Sequence, residues 1–443
     1  MTKLDDIPPH LKHLFSSKPA ADGKAVIKMA EGHLSDTVDA AIAALRYGEP
    51  VIYQQAGRLV HLVRHDSTTD GADLLRPTGA FVVEDVGKYL LKELLGSTAT
   101  WAKYDARMMP TRGDPADPDK KGAWKESSPT LDIALHVADR GQWNLHVLKG
   151  AIEAPTLRRD GTVLDQPGYD FASGLFLDTN NVEFETVRDT PTRDDALGGL
   201  AGLKDVLKDF PFVPDEGDDW HAPGGARSVA LSAIMTGIVR RTLATAPAHA
   251  VTAPTPGTGK TKVAEIVTAV VSGRTPTTIS YGKTQEEFEK RLFSVLRAGD
   301  AVVIIDNVEA DHVSSDEFCT VLTSESYNGR VLGVSQMATV LTNSLFVING
   351  NNLCFRGDIT HRVIVSKMDA RMEDPKSRKF DRDPVQYALD HRAALVTGAL
   401  TIMLEVLIHV ASDCRSYLWQ TICLMAHYHI PSTSLMTCGC WTF

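Results

Sequence analysis

The sequence lacks an excess of basic residues. It has 46 Lys and Arg against 56 Asp and Glu, a formal net charge of −10, and a pI of about 5.8. This composition excludes a positive field over the whole molecule, which is the usual electrostatic signature of a nucleic-acid-binding domain. Contact with nucleic acid would therefore need local basic patches or a ring-shaped assembly.

The sequence also lacks a recognisable targeting or membrane segment. Residues 1–15 have no apolar core of the kind found in a signal peptide. The most apolar run, residues 393–411, contains Glu405 and His409, and its apolar residues recur at helical spacing. It therefore predicts a half-buried helix of a soluble protein, not a membrane span. We expect a cytoplasmic protein with no membrane contact.

Cysteine is scarce and unevenly placed. Cys319 and Cys354 stand apart, and the last 30 residues contain Cys414, Cys423, Cys438 and Cys440. With His427 and His429, this tail could be interpreted as a zinc site, but the spacings match no common zinc pattern. The preferred interpretation is an atypical, non-native end, produced by a shifted frame or early truncation.

The segment VTAPTPGTGKT, residues 251–261, is typical of a phosphate-binding loop between a strand and a helix. Its two glycines permit a bend that points backbone N–H groups at an anion, and the helix N-terminus adds partial positive charge. We expect Lys260 to reach the β- and γ-phosphates of ATP and the Thr261 hydroxyl to ligate Mg²⁺. The predicted nucleotide-binding set is Pro256, Gly257, Thr258, Gly259, Lys260 and Thr261. Pro254 replaces the first glycine of the usual pattern, so a simple turn with a surface lysine is the alternative.

A continuous apolar strand, residues 301–306, ends in an acidic residue. In P-loop proteins an acid at this place holds Mg²⁺, which is the role expected of Asp306; a simple turn residue is the alternative. Many P-loop ATPases have Glu next, whereas this chain has Asn307. Asn307 could position a water molecule but cannot accept its proton, and Glu309 is a further candidate base.

A second apolar strand, residues 344–348, ends in Asn-Gly-Asn-Asn. An amide at this tip can hold the attacking water against the γ-phosphate. Asn351 and Asn352 both qualify, and the alternative is that they are simply good turn residues. Three arginines follow, namely Arg356, Arg362 and Arg371. Any of them could stabilise transition-state charge in a neighbouring subunit, or form an ordinary surface ion pair.

From about residue 190, strands and helices alternate, which predicts an α/β fold with a parallel sheet flanked by helices, as in P-loop NTPases. A small α+β domain is expected before it. The predicted segments are a flexible arm at 1–21, the small α+β domain at 22–150, a turn-rich connector at 151–190, a P-loop ATPase domain at 191–411, and the atypical tail at 412–443.

Four motifs together carry a family resemblance. APTPGTGKT, VVIIDN, RVLG and FVINGNNLCFRGDITHRV, followed by D-A-R-x-E-x-P, resemble the ATPase region of phage- and prophage-encoded primase-helicase-type proteins. These are similar to AAA+ and superfamily 3 helicases. The upstream EAPTLRRDGTVLDQPGYDFASGLF resembles the segment that precedes this ATPase, so the resemblance covers about residues 150–411. It implies an AAA+-like ring, usually a hexamer, that hydrolyses ATP with Mg²⁺ at subunit interfaces to act on DNA.

The resemblance implies roles for individual residues: Lys260 and Thr261 as the Walker A pair, Asp306 as the Walker B acid, Asn352 as the sensor, and Arg362 as an arginine of the G-D-x-x-R-R pattern. His361 replaces the first arginine of that pattern. Arg330 and Gly333 match a segment that can supply a DNA-contacting hairpin in such helicases. Residues 1–150 show no primase signature, such as a metal-binding acid pair.

The leading hypothesis is an ATP-dependent DNA helicase or helicase-like motor of phage or mobile-element replication, acting on single-stranded or forked DNA. The alternative is a nucleotide-gated module that binds DNA or a protein but hydrolyses ATP weakly or not at all. Asn307 and the unusual tail favour this alternative slightly. A third hypothesis is an AAA+-like remodeller of proteins.

Overall fold

The computed structural model describes residues 2–48, 52–66, 74–105, 123–214, 225–282, 284–308, 315–331, 337–378 and 380–410. The chain divides into two compact units. The first is Met1–Val63 with Val83–Leu148, and the second is Arg64–Val82 with Lys149–Phe443. The predicted tail, with its cysteines and histidines, lies outside the described residues.

Up to residue 148 the elements are β1 (Val26–Met29), α1 (Leu34–Tyr47), β2 (Tyr53–Gln55), β3 (Arg58–Arg64), β4 (Leu74–Leu75), β5 (Phe81–Asp85), α2 (Lys88–Thr98), β6 (Thr100–Asp105), β7 (Ala123–Ser127) and α3 (Leu131–Asp139). They form the sheets β1-β6-β7 and β2-β3-β5, while β4 belongs to the second unit. Ala56 and Gly57 connect β2 to β3 with φ of 47° and 79°, the left-handed conformation of a tight hairpin turn. The first unit is therefore a mixed α and β structure.

From residue 150 onward the elements are β8 (Gly150–Ile152), β9 (Thr156–Leu157), β10 (Val163–Leu164), β11 (Gly168–Asp170), β12 (Leu175–Leu177), α4 (Arg193–Val206), α5 (Gly225–Val239), β13 (Ala248–Ala253), α6 (Lys260–Ser272), β14 (Thr277–Ser280), α7 (Gln285–Ala298), β15 (Val302–Val308), α8 (Asp316–Thr323), β16 (Ser326–Arg330), β17 (Met337–Leu341), β18 (Leu345–Asn351), β19 (Val363–Lys367), α9 (Pro384–Asp390) and α10 (Arg392–Val410). The first five strands of this series are two or three residues long.

A six-stranded sheet organises the second unit. Its order is β19-β13-β18-β15-β14-β4, and all neighbouring strands are parallel except β4, which runs antiparallel to β14. The carboxyl ends of the parallel strands share one edge of the sheet. Side chains that follow these ends are therefore brought close together.

Helices cover both faces of this sheet. On β15, Val302 and Ile304 pack into the cluster that contains residues of α5, α6 and α10, whereas Val303 and Ile305 pack into the cluster of α7 and α8. Such double burial explains why the strand is apolar without alternation. The protein is therefore a mixed α/β structure with several sheets, and this agrees with the α/β fold class predicted from the sequence.

Local end signals account for the helices that flank the sheet. The Thr284 side chain accepts a hydrogen bond from the Glu287 backbone N–H at the start of α7, and Gly299 closes that helix with φ of 73°. Gly273 closes α6 in the same way, with φ of 68°.

Within the described residues, no single helix is long and apolar enough to cross a membrane. α9 and the part of α10 up to Ile408 would meet that test only as a pair, bent by 79° at the break between them.

Candidate functional site

The loop between β13 and α6 has the conformation that its glycines suggested. Gly257 and Gly259 have φ of 81° and 103°, which only glycine adopts without strain. Among the described residues, no side chain caps the first turn of α6, whose N-cap is Gly259. Thr258 is buried and its hydroxyl donates to the Thr255 carbonyl, 2.7 Å away, which fixes the bend. The N-terminus of α6 is therefore available to an anion.

Lys260, the first residue of α6, points back over this loop. Its Nζ donates to the Thr255 carbonyl at 3.2 Å and to Oδ1 of Asn351 at 2.7 Å. Partial burial lowers the pKa of the Lys260 ammonium, and the negative charge of Asp306 opposes that shift. Two strand-end residues predicted from different parts of the sequence, Asn351 and Asp306, thus lie near the same ammonium group.

Asp306 lies near the carboxyl end of β15, opposite Ser280 of β14, and is partly buried. The pairing of β15 with β18 shifts register between Ile305 and Val308, an irregularity that re-aims side chains at strand ends. Asn307 lies in this irregular stretch, and its side chain lies outside what the structure describes, as does the whole of Glu309.

The two tip asparagines have different contacts. Asn351 pairs with Ala253 across the sheet and contacts Lys260. Asn352 has φ of 48°; its backbone N–H donates to the Ala253 carbonyl at 3.1 Å, and its amide Nδ2 donates to the Pro254 carbonyl at 3.4 Å. Asn352, the sensor residue implied by the resemblance, therefore holds the start of the loop, and Asn351 holds the lysine.

Arg362 lies at the opposite edge of the sheet. Its carbonyl accepts from the Ala248 N–H at the amino end of β13. A strand rises about 3.3 Å per residue, so this position is roughly 17 Å from the carboxyl end of β13, where the loop begins. The Arg362 guanidinium pairs with Asp358 at 3.2 Å. The structure therefore does not bring Arg362 to the loop of its own chain.

The other two candidate arginines and His361 are exposed. Arg356 directly precedes the 3-10 helix Gly357–His361. Arg371 has φ of 50°, and its backbone N–H donates to Asp369. Arg330 ends β16, which forms an antiparallel hairpin with β17, while Gly333 lies outside the described residues.

Lys376 is a candidate that the sequence did not single out. A Cβ atom placed on Gly257 would lie 2.5 Å from Cγ of Lys376, so the aliphatic stem of this lysine crosses the loop between β13 and α6. The segment that contains Lys376 follows β19, which pairs with β13. The Met368 N–H, directly after β19, donates a hydrogen bond to the Thr252 carbonyl and so brings this segment near the loop. The Asp374 carboxylate accepts a hydrogen bond from the Lys376 backbone N–H at 3.2 Å and so caps the short turn there. No spacing rule indicates such a lysine, since its position depends on how the segment after β19 folds back.

Glu265 is a second group near the loop that the sequence pattern does not indicate. It lies one helical turn after Thr261 on α6, and therefore on the same face. Burial raises the pKa of its carboxyl; the Lys262 charge lowers it, and the charges of Asp383 and Asp306 raise it. The loop is therefore bordered by both signs of charge, with two lysines and two carboxylates.

Comparison with known proteins gives little further guidance. No protein-family model matches the sequence, and no curated protein matches it. Among solved structures, the apo C-terminal region of NrS-1 is 12% identical, with a TM-score of 0.31 over 76% of this chain and 75% of that chain. JCV helicase is 13% identical, with a TM-score of 0.24 over 54% of this chain and 69% of that chain. At these TM-scores the likeness carries no argument about function.

Proposed function

We propose that the second unit is a P-loop NTPase domain of the AAA+-like type, which binds ATP with Mg²⁺ and hydrolyses it to drive action on DNA. The observation that carries this proposal is the contact of 2.7 Å between Lys260 Nζ and Asn351 Oδ1, made beside Asp306. A lysine, an amide and a carboxylate that meet at a helix N-terminus are the groups needed to bind a triphosphate and a metal ion.

In this proposal the loop residues 256–259 and the first turn of α6 surround the phosphates with N–H groups. Lys260 exchanges its contacts with Thr255 and Asn351 for phosphate oxygens. Thr261 and Asp306 hold Mg²⁺, which neutralises phosphate charge when bound. The fit is supported by the conformation of the loop, whose N–H groups no described side chain caps.

The amides at the strand ends would position the attacking water. Asn351 is freed when Lys260 turns to the nucleotide, and Asn352 keeps the loop start in place through Pro254. Asn307 is adjacent to the metal-holding acid and is a third candidate. Positioning of water by an amide contributes orientation without taking up its proton.

DNA is the proposed partner, in single-stranded or forked form, and a homo-oligomeric ring, such as a hexamer, is the proposed assembly. The β16–β17 hairpin is the candidate DNA-contacting element, with Arg330 paired to Met337 at the end where the two strands connect. Arg362 is the candidate arginine for the nucleotide of an adjacent subunit. This arrangement fits replication of phage or another mobile element.

A nucleotide-gated binding module remains the second candidate. The residue after Asp306 is Asn307, whose amide cannot accept a proton from water. Such a protein would bind ATP and change its affinity for DNA or a protein partner with little turnover. A remodeller of proteins is the third candidate and would respond to protein, not to DNA.

The decisive experiment is ATP hydrolysis by a size-defined oligomer, with and without single-stranded DNA, for the wild type, Lys260→Ala and Lys262→Ala. Lys262 is the matched control because it lies on the same helix and pairs with Asp383 at the surface. We expect DNA-stimulated turnover that falls by roughly 100-fold or more in Lys260→Ala, because its charge stabilises the transition state.

The outcomes separate the candidates. ATP binding without turnover would favour the gated module, and stimulation by protein alone would favour the remodeller. Equal turnover in the wild type and Lys260→Ala would remove the phosphate-loop assignment.

A further inference from the structure

The second unit contains a cavity of about 50 Å³ that is unrelated to the phosphate loop. Thr277 and Val302, the first residues of β14 and β15, line it, so it lies at the amino edge of the sheet. Gly237 of α5 and Thr268 of α6 form further parts of the wall. The space can hold a few water-sized spheres, whereas nucleotide-sized ligands occupy roughly 300 Å³ or more.

The cavity wall contains five ionisable side chains, namely Glu153, Arg240, Arg241, Arg274 and Asp300. Both acids already have arginine partners. Asp300 accepts two hydrogen bonds from Arg76, at 2.7 and 2.6 Å, and Glu153 accepts from Arg274 at 2.9 Å and from Arg64 at 3.2 Å. No wall acid is left to pair directly with the other two arginines.

Arg240 and Arg241 are buried, with 2% and 5% of their surface exposed. Among the described residues, Arg240 donates only to carbonyl oxygens, those of Ser344, Leu243 and Thr342. The dipoles of three carbonyl groups stabilise the positive charge of the Arg240 guanidinium less than water or an acidic partner would. Burial therefore lowers the pKa of Arg240 to about 9.

One N–H donor of the Arg241 guanidinium has no acceptor among the described residues. Its Nη1 donates to Oδ1 of Asn343 at 2.6 Å and its Nη2 to the Gly299 carbonyl at 2.5 Å. Its Nε is buried and meets no hydrogen-bond acceptor among the described residues. A buried, unpaired donor on a cation is costly, and a small anion is the partner that would satisfy both its charge and its hydrogen bond.

We propose that this cavity binds one small inorganic anion of about the size of chloride, with Nε of Arg241 as its principal hydrogen-bond donor. The anion completes a charge cluster in which arginines outnumber acids. Its effect is to stabilise the fold of the second unit, at a position separate from the proposed ATP site.

The test is thermal unfolding of the full chain in sodium chloride and in sodium gluconate at equal ionic strength, since gluconate is too large for the cavity. We expect chloride at about tenfold above its Kd to raise Tm by roughly 2–4 °C relative to gluconate, because it binds only the folded state. Arg241→Met should lose this difference. Arg188→Met, at an exposed surface pair with Asp195, should retain it.

A second measurement does not depend on a variant that folds. Crystals of the wild type grown in sodium bromide should show an anomalous bromide peak next to Nε of Arg241. Water alone in the cavity, together with equal Tm values in chloride and gluconate, would overturn the proposal.

Discussion

At the scale of single residues, the candidate site depends on side chains that hold each other in place. Lys260 bonds to Asn351, and Asn352 bonds to Pro254, so both asparagines keep the loop in its bent form. Proline at position 254 is compatible with this arrangement because only its carbonyl is used. A side chain at position 257 would collide with the stem of Lys376, so the glycine is needed for space as well as for its φ.

Lys376→Met tests whether the ammonium group of the lysine whose stem crosses the loop contributes to nucleotide binding. Methionine keeps most of the aliphatic stem against Gly257 and removes the charge. We expect ATP binding to weaken by roughly 10-fold, the effect of one lost charge-assisted hydrogen bond, and AMP binding to change much less. Titration calorimetry measures this, with Lys290→Met on the surface of α7 as the control. Unchanged ATP affinity would limit Lys376 to a packing role.

At the scale of elements, α4 and α10 approach each other through glycines. A Cβ atom on Gly199 would lie 2.7 Å from the carbonyl oxygen of Gly398 and 2.8 Å from its Cα. Backbone atoms cannot move aside as a flexible side chain can. The two helices therefore depend on the missing side chain for their close packing.

Gly199→Ala should separate these helices and lower the free energy of unfolding by about 1–3 kcal/mol, the usual cost of overpacking. Gly202→Ala lies in the same helix, where an added Cβ meets nothing within 4 Å. That control should be neutral or stabilising by up to about 1 kcal/mol, because alanine is the better helix former. Denaturant titration of both variants measures the difference. Equal stabilities would contradict the close approach.

The sequence predicted individual helices and strands better than it predicted the register of neighbouring strands and the contacts between them. Loop glycines and apolar runs are local signals, and they predicted the loop, the helix after it and the strand that ends near Asp306. The contact of Lys260 with Asn351, in preference to Asn352, depends on the register of β13 with β18, which local signals do not contain. β4 was missed because two residues carry no periodicity. Lys376 was missed because its position depends on a turn after the last strand of the sheet.

At the scale of the whole molecule, different candidate residues lie at the two edges of the main sheet. The carboxyl edge has the loop with Lys260, and the amino edge has Arg362. A single chain therefore cannot use both in one reaction. If Arg362 acts in hydrolysis, the nucleotide it contacts must belong to another copy.

Mixed assemblies test this separation. Arg362→Ala should bind ATP normally and lose roughly 1,000-fold in turnover, the lower range of effects for arginines supplied between subunits. When mixed with wild-type chains, it should inhibit turnover more than its share of subunits. Hydrolysis is measured across a series of mixing ratios, with Arg188→Ala as the surface control. Turnover proportional to the wild-type fraction would assign the role to another arginine, such as Arg356 or Arg371.

The short strand β4 has a practical consequence for anyone who shortens this chain. β4 completes the sheet beside β14, and Arg76 directly after it forms the paired hydrogen bonds to buried Asp300. A fragment that starts at residue 149 would therefore leave a buried carboxylate unpaired, at a cost of about 3–5 kcal/mol, and an open strand edge prone to aggregation. Expression of the second unit alone should be attempted with residues 64–82 retained.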